Sequence, residues 1–390
     1  MEPSGVMSSV PAADRTASPL RVDALDGLRA AMTLLVILHH TAIAYGAIGG
    51  WFYRELAPSD SWSSRALVFF CTVNQAFFMG LFFLMAGYFA PGALERKGAW
   101  VYVRDRLVRL GLPLLVFGWI LGPMTIALAQ TQQGRPFSSA LGRLWSRGVF
   151  EPGPLWFCEA LLLFSLAAAL WHRFSPASAA PRAIRNGAGP SNLTLLAAAL
   201  LTGVAAFALR LVWPVGSQWH ALQLGYFAGY VVLFVAGCHA AQTGWLEHPP
   251  RAQVQLWRRV MWVALPVLPI VALWGARIPS LTGPAEGGWH GLAVVYALWE
   301  PLVAWGLILS LLDLFQSRMR RLGPTWRVLA QRAYAMFVIH PPVVVAITIA
   351  FHEVPLHALL KFVLTGTTSC VACFVLAGWL LRVPAVRRVL

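Results

Sequence analysis

The sequence has little charge, and negative charge above all is scarce. Only 12% of its 390 residues are charged, and 15 acidic residues stand against 30 lysines and arginines. An average soluble domain carries about 25% charged residues. Hydrophobic residues reach 58%, which leaves too little polar surface for a soluble enzyme, a disordered protein or a coiled coil. The composition therefore indicates a membrane protein with many spans.

The cysteines form no recognisable pattern, and we expect no cleavable leader at the N-terminus. The five cysteines fall mostly inside apolar runs, and their spacing matches no disulfide framework. Cys370 and Cys373 lack a second ligand pair for zinc, and no HExxH motif occurs, so we expect no metal site. Residues 1–20 are rich in Ser, Ala and Pro without an apolar core. We therefore expect the first span itself to direct insertion.

Positive charge is what remains, with a net charge of +15. The basic residues lie in short loops between apolar runs, which is typical of orientation in a bilayer and not of nucleic-acid binding. Most of them fall at the N-terminus, at the C-terminus and in alternate loops. This bias predicts that both termini are cytoplasmic and that the protein's main partner is the lipid bilayer, whereas nucleic acid is not a partner.

Apolar segments of about 20 residues recur along the whole chain, and helices of that length cross about 30 Å of hydrocarbon. Barrel strands would be only about half as long and would alternate in polarity. We therefore predict an all-α polytopic membrane protein with about ten transmembrane helices. These spans are placed near 27–48, 67–90, 110–130, 153–172, 191–213, 221–241, 260–276, 289–312, 328–350 and 359–381.

No polar stretch is long enough to fold as a separate domain. We predict a disordered cytoplasmic N-terminus at 1–20, a single transmembrane domain at 21–382 and a cytoplasmic tail at 383–390.

The first predicted span carries two ionisable groups on nearly one face. Arg29 and His40 are 11 residues apart, about three helical turns and about 16 Å of rise. Asp26 lies one turn before Arg29, and His39 points about 100° away from His40. Ionisable groups at membrane depth are costly and mark candidate functional sites. The alternatives are a histidine that only packs the bundle and an arginine at the membrane interface.

Three further groups lie inside predicted spans: Glu159, Glu300 and His340. His340 is about as far into its span as His40 is into the first, so we expect the two histidines at similar depth. Buried carboxylates and imidazoles at overlapping depths indicate proton handling or acyl transfer. The two glutamates are equally well explained as structural partners of Arg or Trp side chains.

Arg106 and Arg109 are one turn apart where the third predicted span begins. Two guanidinium groups at this spacing suit a phosphate. The simpler explanation is positive charge that anchors the span at the cytoplasmic surface.

Five stretches resemble, in order, blocks of the acyltransferase 3 family of integral membrane acyltransferases, and the resemblance runs from about residue 21 to 382. Arg29 and His40 fit the family's spacing of ten intervening residues, whereas Met85-Ala86-Gly87 replaces the usual Leu-Ser-Gly. The order of blocks is similar to that of the branch that modifies periplasmic glucans. The stretches are LDGLRAAMTLLVILHH (25–40), FFMGLFFLMAGYFA (77–90), Arg106 to Pro113, LWFCEALLLF (155–164) and YAMFVIHPPVV (334–344).

The resemblance implies transfer of an acyl group from cytoplasmic acyl-CoA, acetyl-CoA or succinyl-CoA, to a hydroxyl of a carbohydrate-type envelope acceptor. Arg29, Arg106 and Arg109 would then hold the phosphates of the donor, and His40 would be the general base. The implied location is the bacterial cytoplasmic (inner) membrane.

Glu159 and His340 are further candidates, expected to orient the imidazole or the acceptor. The alternative function is a proton-coupled transporter or flippase that uses the buried Glu and His groups. The sequence leaves the acceptor's identity and the oligomeric state open.

Overall fold

A computed structural model describes residues 19–174, 189–274, 277–278, 281–319 and 321–390. Within these ranges the chain folds into helices and has no β-strand, so the predicted all-α class is confirmed. Of the N-terminal segment predicted at 1–20, positions 1–18 lie outside the described residues. The helices are α1 Pro19–Ala44, α2 Trp62–Arg106, α3 Leu112–Val116, α4 Gly122–Gln130, α5 Phe137–Ser146, α6 Trp156–Phe174, α7 Asn192–Val212, α8 Phe227–Thr243, α9 Arg251–Ala264, α10 Val267–Trp274, α11 Gly291–Arg318, α12 Pro324–Ala350, α13 Ala358–Leu380 and α14 Pro384–Arg387.

The described residues contain nine stretches that are long and apolar enough to cross a membrane, whereas the sequence predicts ten spans. The difference arises because the second and third predicted spans form one helical stretch of 72 residues, Trp62–Gln133. A straight helix of that length would measure roughly 108 Å, several times the thickness of the hydrocarbon layer. The stretch breaks at Gly98, whose φ of 73° and ψ of 161° are not helical. Which side of the membrane holds the termini stays a prediction.

The first helix lies at the centre of the helical bundle. α1 contacts α2, α11, α12 and α13, and its Leu28 and Ile37 side chains are completely buried. A helix that only anchored the chain in lipid would expose apolar side chains on most of its surface. The position of α1 therefore allows its polar groups to meet groups from several other helices.

Close contact between two backbones joins α2 to α8. A Cβ atom added to Gly87 would lie 2.0 Å from the carbonyl oxygen of Phe234, and one added to Gly237 would lie 2.1 Å from that of Leu84. Only glycine fits at these two positions without separating the helices. Gly87 is the one residue of Met85-Ala86-Gly87 that matches the Leu-Ser-Gly of the resembling block. It is also the residue of the three that this close backbone contact requires to be glycine.

Two π-helical segments, Leu107–Gly111 and Phe117–Leu121, follow α2 on either side of α3. Such widened turns are rare and occur frequently at functional sites. The first segment contains Arg109. The second accepts a hydrogen bond at the Gly118 carbonyl from the Glu151 N–H, at 2.9 Å, which holds the loop before α6 against it.

Candidate active site

His40 and His340 lie side by side inside the bundle. His40 is on α1 and His340 on α12, and the centroids of the two imidazole rings are 5.2 Å apart, with planes inclined by 22°. His340 is completely buried. The His39 ring is nearly perpendicular to that of His40, at 87°. The structure thus brings together the two histidines that the sequence places at similar depth.

A tryptophan from the loop after α1 completes this cluster. The ring of Trp51 stacks on His40 with centroids 4.2 Å apart and planes inclined by 15°. It is also nearly parallel to His340, with centroids 6.0 Å apart. The sequence gives no signal for Trp51, because an aromatic residue in a loop has no periodicity and no motif that points to a buried site.

One hydrogen bond determines which nitrogen of His340 carries the proton. Its Nδ1 lies 2.6 Å from the carbonyl oxygen of Phe337. A carbonyl oxygen only accepts, so Nδ1 is the donor and the neutral ring keeps its lone pair on Nε2. Nε2 of His340 and Nδ1 of His40 are buried, and neither has a hydrogen-bond partner among the described residues. The pair therefore offers free nitrogen atoms for exchanging protons.

On one side of the pair lies a cavity of about 830 Å³, which we name the outer cavity. His39 and His40 form part of its wall. The wall also carries amide groups, aromatic rings and carboxylates, the combination of flat apolar surfaces and hydrogen-bonding groups found in binding sites for polar organic molecules. These residues are Gln75, Gln218, Gln223, Trp156, Tyr226, Tyr296, Asp60 and Glu286.

A second cavity, of about 790 Å³, lies nearer the start of α1, and we name it the inner cavity. Its wall contains six arginines and one aspartate, so it is strongly positive. A concave surface lined by guanidinium groups attracts anions and suits phosphate groups in particular. The charged lining residues are Arg29, Arg106, Arg109, Arg332, Arg382, Arg387 and Asp26.

A partition about one helical turn thick separates the two cavities. On α1, Thr33 lines the inner cavity and Val36 the outer one; on α2, Phe82 and Met79 do the same. Three residues of α-helix correspond to about 4.5 Å of rise. Phe337 lines both cavities, and its ring contacts that of His340 at 5.7 Å between centroids. Phe337 is thus the shared wall beside the histidine pair.

Arg29 and His40 occupy the same helix but different cavities. Arg29 lines the inner cavity and pairs with Asp26 at 2.9 Å, whereas His40 lines the outer cavity. The predicted alignment along α1 therefore places one group in each chamber, with the partition between them.

Arg106 and Arg109 both reach the inner cavity, as expected from their spacing. The guanidinium carbon of Arg106 lies 5.0 Å from the centroid of the Tyr102 ring. The Tyr334 hydroxyl donates to the backbone carbonyl of Arg109 and thereby ties the π-helical segment to α12. Arg332, Arg382 and Arg387 were missed as site residues, because the sequence shows them only as part of the positive charge expected at a membrane surface.

Glu159 is half-buried in the first turn of α6. It is absent from the walls of both cavities as the described residues define them. The structure does not bring it to the histidine pair, so its catalytic role stays a prediction from the sequence.

Glu300 is paired with a buried arginine. Arg210 donates to the Glu300 carboxylate and, through Nε, to the carbonyl oxygen of Gly225 at 3.0 Å. Its guanidinium carbon lies 4.8 Å from the centroid of the Tyr296 ring and 5.2 Å from that of Tyr226. Glu300 therefore fits the interpretation as a structural partner of an arginine. Arg210 in turn contacts two tyrosines that line the outer cavity.

A comparison with protein families found a match. The family model described as an acyltransferase domain, acyltransferase 3, matches residues 22–380. No curated protein and no solved structure matched the chain. Because the match covers nearly the whole chain, and the helices form an apolar polytopic bundle, the chain belongs to the acyltransferase 3 family and is an integral membrane acyltransferase.

Proposed function

We propose that this enzyme moves an acyl group from acyl-CoA, acetyl-CoA or succinyl-CoA, to a hydroxyl of a carbohydrate-type envelope acceptor. The donor enters the inner cavity and the acceptor enters the outer cavity. The observation that carries the proposal is the partition: an arginine-rich chamber and a chamber lined by amides and aromatic rings share Phe337, whose ring contacts His340 beside His40. The proposed location is the bacterial cytoplasmic (inner) membrane, with the arginine-rich end of the bundle on the cytoplasmic side.

The chemistry of the inner cavity supports a phosphate-bearing donor. Arg29, Arg106 and Arg109 belong to a wall on which six guanidinium groups face one carboxylate. Phosphate oxygens accept two parallel hydrogen bonds from a guanidinium group, which gives both affinity and orientation. The wall of the cavity also includes the apolar rings of Phe157 and Phe337, which suit the uncharged arm of the donor. Acyl-CoA supplies the activated thioester carbon at the end of that arm.

The histidine pair supports transfer across the partition. His40 accepts the proton of the acceptor hydroxyl while the hydroxyl oxygen forms a bond to the thioester carbonyl carbon. The carbon–sulfur bond then breaks, and His40 returns the proton to the sulfur, which leaves as the CoA thiol. The His340 ring lies 5.2 Å from that of His40 between centroids and keeps its Nε2 unpartnered among the described residues, and we assign it the role of the partner that stabilises the protonated imidazole.

The transporter hypothesis loses one of its required groups. A proton relay needs carboxylates that release and take up protons freely. Glu300 is instead held by Arg210, whose guanidinium group contacts two tyrosine rings. If the purified protein consumed no thioester with any donor, yet moved a glycan or protons across vesicles, the transporter hypothesis would replace ours.

Replacing Arg106 and Arg109 together by alanine is expected to weaken acyl-CoA binding. Hydrogen bonds to charged groups contribute about 1.5–3 kcal/mol each, so losing one from each arginine predicts a fall of roughly 10²- to 10⁴-fold in affinity. Isothermal titration of acetyl-CoA into protein in lipid nanodiscs measures it. Arg104→Ala is the matched control, because Arg104 is exposed on the same segment and is absent from the walls of the two cavities. Equal affinity in the double variant and the control would exclude the inner cavity as the donor site.

Replacing Phe337 by alanine is expected to open the partition. Water from the outer cavity then reaches the thioester, because excluding water is what protects a reactive group in a closed site. We expect the release of free thiol from acetyl-CoA without acceptor to rise several-fold, whereas Phe337→Leu stays close to the native protein. Phe164→Ala is the control, since that ring packs against Phe83 and Phe234 and belongs to neither cavity wall. An unchanged rate of thiol release in folded Phe337→Ala would show that this ring is not the barrier.

A further inference from the structure

The loop between α1 and α2, residues 45–61, is fastened at both of its ends, and we name it the strap. The N–H groups of Glu55 and Leu56 donate to the carbonyl oxygen of Ala44 at 2.9 and 3.2 Å. Near the start of α2, the Ser64 hydroxyl donates to the carbonyl oxygen of Gly46 at 2.6 Å. These bonds close the strap into a loop that leaves and returns at the end of α1.

A buried ion pair fixes the strap to the far end of the sequence. Lys361 of α13 donates to the carboxylate of Glu55, and both side chains are buried. Lys361 also donates to the carbonyl oxygen of His352 at 3.1 Å. A buried pair is stable only with good geometry and additional hydrogen bonds, and removing one partner leaves an uncompensated charge. The strap is therefore held at one position relative to α13.

Tyr53 adds a second link between the strap and His352, which follows α12. Its hydroxyl lies 3.1 Å from Nδ1 of His352. Burial, with the nearby Glu55 and Glu353 carboxylates, raises the pKa of Tyr53 above its ordinary value. The hydroxyl thus stays protonated throughout the physiological range and remains able to donate to His352.

Between these anchors the strap places Trp51 against the histidine pair. A catalytic histidine is usually oriented by a hydrogen bond from its second ring nitrogen to a third group. Nδ1 of His40 has no such partner in the described part of the chain. What contacts the ring instead is the indole of Trp51, at 4.2 Å and nearly parallel. This stack restrains rotation of the imidazole, and it is closer than the 5.2 Å contact with the His340 ring.

We infer that Trp51 is a positioning residue that orients His40 and His340 by stacking, and that the Glu55–Lys361 pair holds it in place. The inference rests on the proposed function, since it assigns an orienting partner to the proposed base. In this enzyme the orienting group of the base is then an aromatic ring from the strap, and not a hydrogen-bonded side chain.

The test compares Trp51→Ala, Trp51→Leu and Trp51→Phe in nanodiscs, with Trp62→Phe as the control. Trp62 is 67% exposed and stacks on His357, away from the pair. Misplacing a catalytic group by about 1 Å costs about 10²-fold in rate. We expect Trp51→Ala and Trp51→Leu to lose about that much in kcat while the KM for the donor changes less than twofold. Trp51→Phe, which keeps a flat ring, should recover most of the rate.

The anchor is tested in the same way. Lys361→Met should lower kcat as Trp51→Leu does, and the reversed pair Glu55→Lys with Lys361→Glu should restore part of it. Lys97→Met is the control, because Lys97 pairs with Asp105 at 2.6 Å on a partly exposed surface. A folded Trp51→Leu or Lys361→Met protein with native kcat would overturn the inference, as would equal losses in kcat and in donor affinity.

A readout that needs no acyl transfer separates this inference from the proposed function. Diethyl pyrocarbonate modifies accessible imidazoles, and mass spectrometry of peptides reports the rate at His40. We expect several-fold faster modification in Trp51→Ala than in the native protein and in Trp62→Phe. If the native protein consumes no thioester, the proposed function fails, while this rate still decides whether Trp51 covers and holds His40. Equal modification rates would overturn the positioning role.

Discussion

Replacing His40 by alanine is expected to lower kcat for acyl transfer by about 10²–10⁴-fold, the contribution of a general base. The acceptor hydroxyl would then lose the imidazole that accepts its proton, because His40 lines the cavity proposed for the acceptor. Binding of acetyl-CoA should stay within twofold, because the donor's charged part lies in the other chamber. Single-turnover transfer of a labelled acetyl group in nanodiscs measures the first quantity, and titration measures the second.

Two companions make this experiment decisive. His239→Ala controls for the loss of an imidazole, since His239 is exposed on α8 and is absent from both cavity walls. His340→Ala should lose less than His40→Ala, because His340 acts through the other ring and does not reach the acceptor. Full transfer activity in a folded His40→Ala protein would remove the general base from the mechanism.

Removing Arg210 should have the largest effect on stability. Arg210→Met leaves the Glu300 carboxylate buried without its partner, and breaking such a pair costs about 3–5 kcal/mol. Arg210 is 1% exposed and also contacts the rings of Tyr226 and Tyr296, so its loss loosens the wall of the outer cavity. Reversible unfolding in mixed micelles, followed by circular dichroism, measures the change in the free energy of unfolding.

The double variant Arg210→Met with Glu300→Gln tests the cause. Because the uncompensated charge is gone, we expect it to recover most of the lost stability. Arg29→Met serves as the comparison for an exposed pair, Arg29 with Asp26, which should cost at most about 1 kcal/mol. If the double variant were as unstable as Arg210→Met, packing of the guanidinium against the tyrosines would stabilise the fold more than the charge pair does.

The sequence predicts the helical parts of this molecule well because the signal is local. An apolar run of about 20 residues is its own evidence for a span, and counting residues from the start of each span places His40 and His340 at the same depth. The number of spans is harder to predict, because the second and third predicted spans are joined by a helix that breaks at Gly98 and not by a loop. Spacing of three residues likewise places Arg106 and Arg109 on one cavity wall.

The rest of the site depends on contacts between distant parts of the chain. Trp51 reaches the pair because Glu55 meets Lys361, 306 positions away. No pattern in either segment indicates that contact. Phe337 is one apolar residue among many on α12, and only the three-dimensional arrangement gives it two chambers to separate. Glu159 shows the reverse case, since a carboxylate within an apolar run indicates function while the structure leaves it outside both walls.

The thinness of the partition has an electrical consequence. Where water and ions fill both chambers, the membrane potential falls across about one helical turn at Thr33 and Val36 of α1, and not across the full hydrocarbon layer. A charge that crosses this turn experiences nearly the entire voltage, which is worth about 2.3 kcal/mol per 100 mV. A proton taken up on one face and released on the other makes such a crossing. Turnover in energised vesicles should therefore change with the applied voltage.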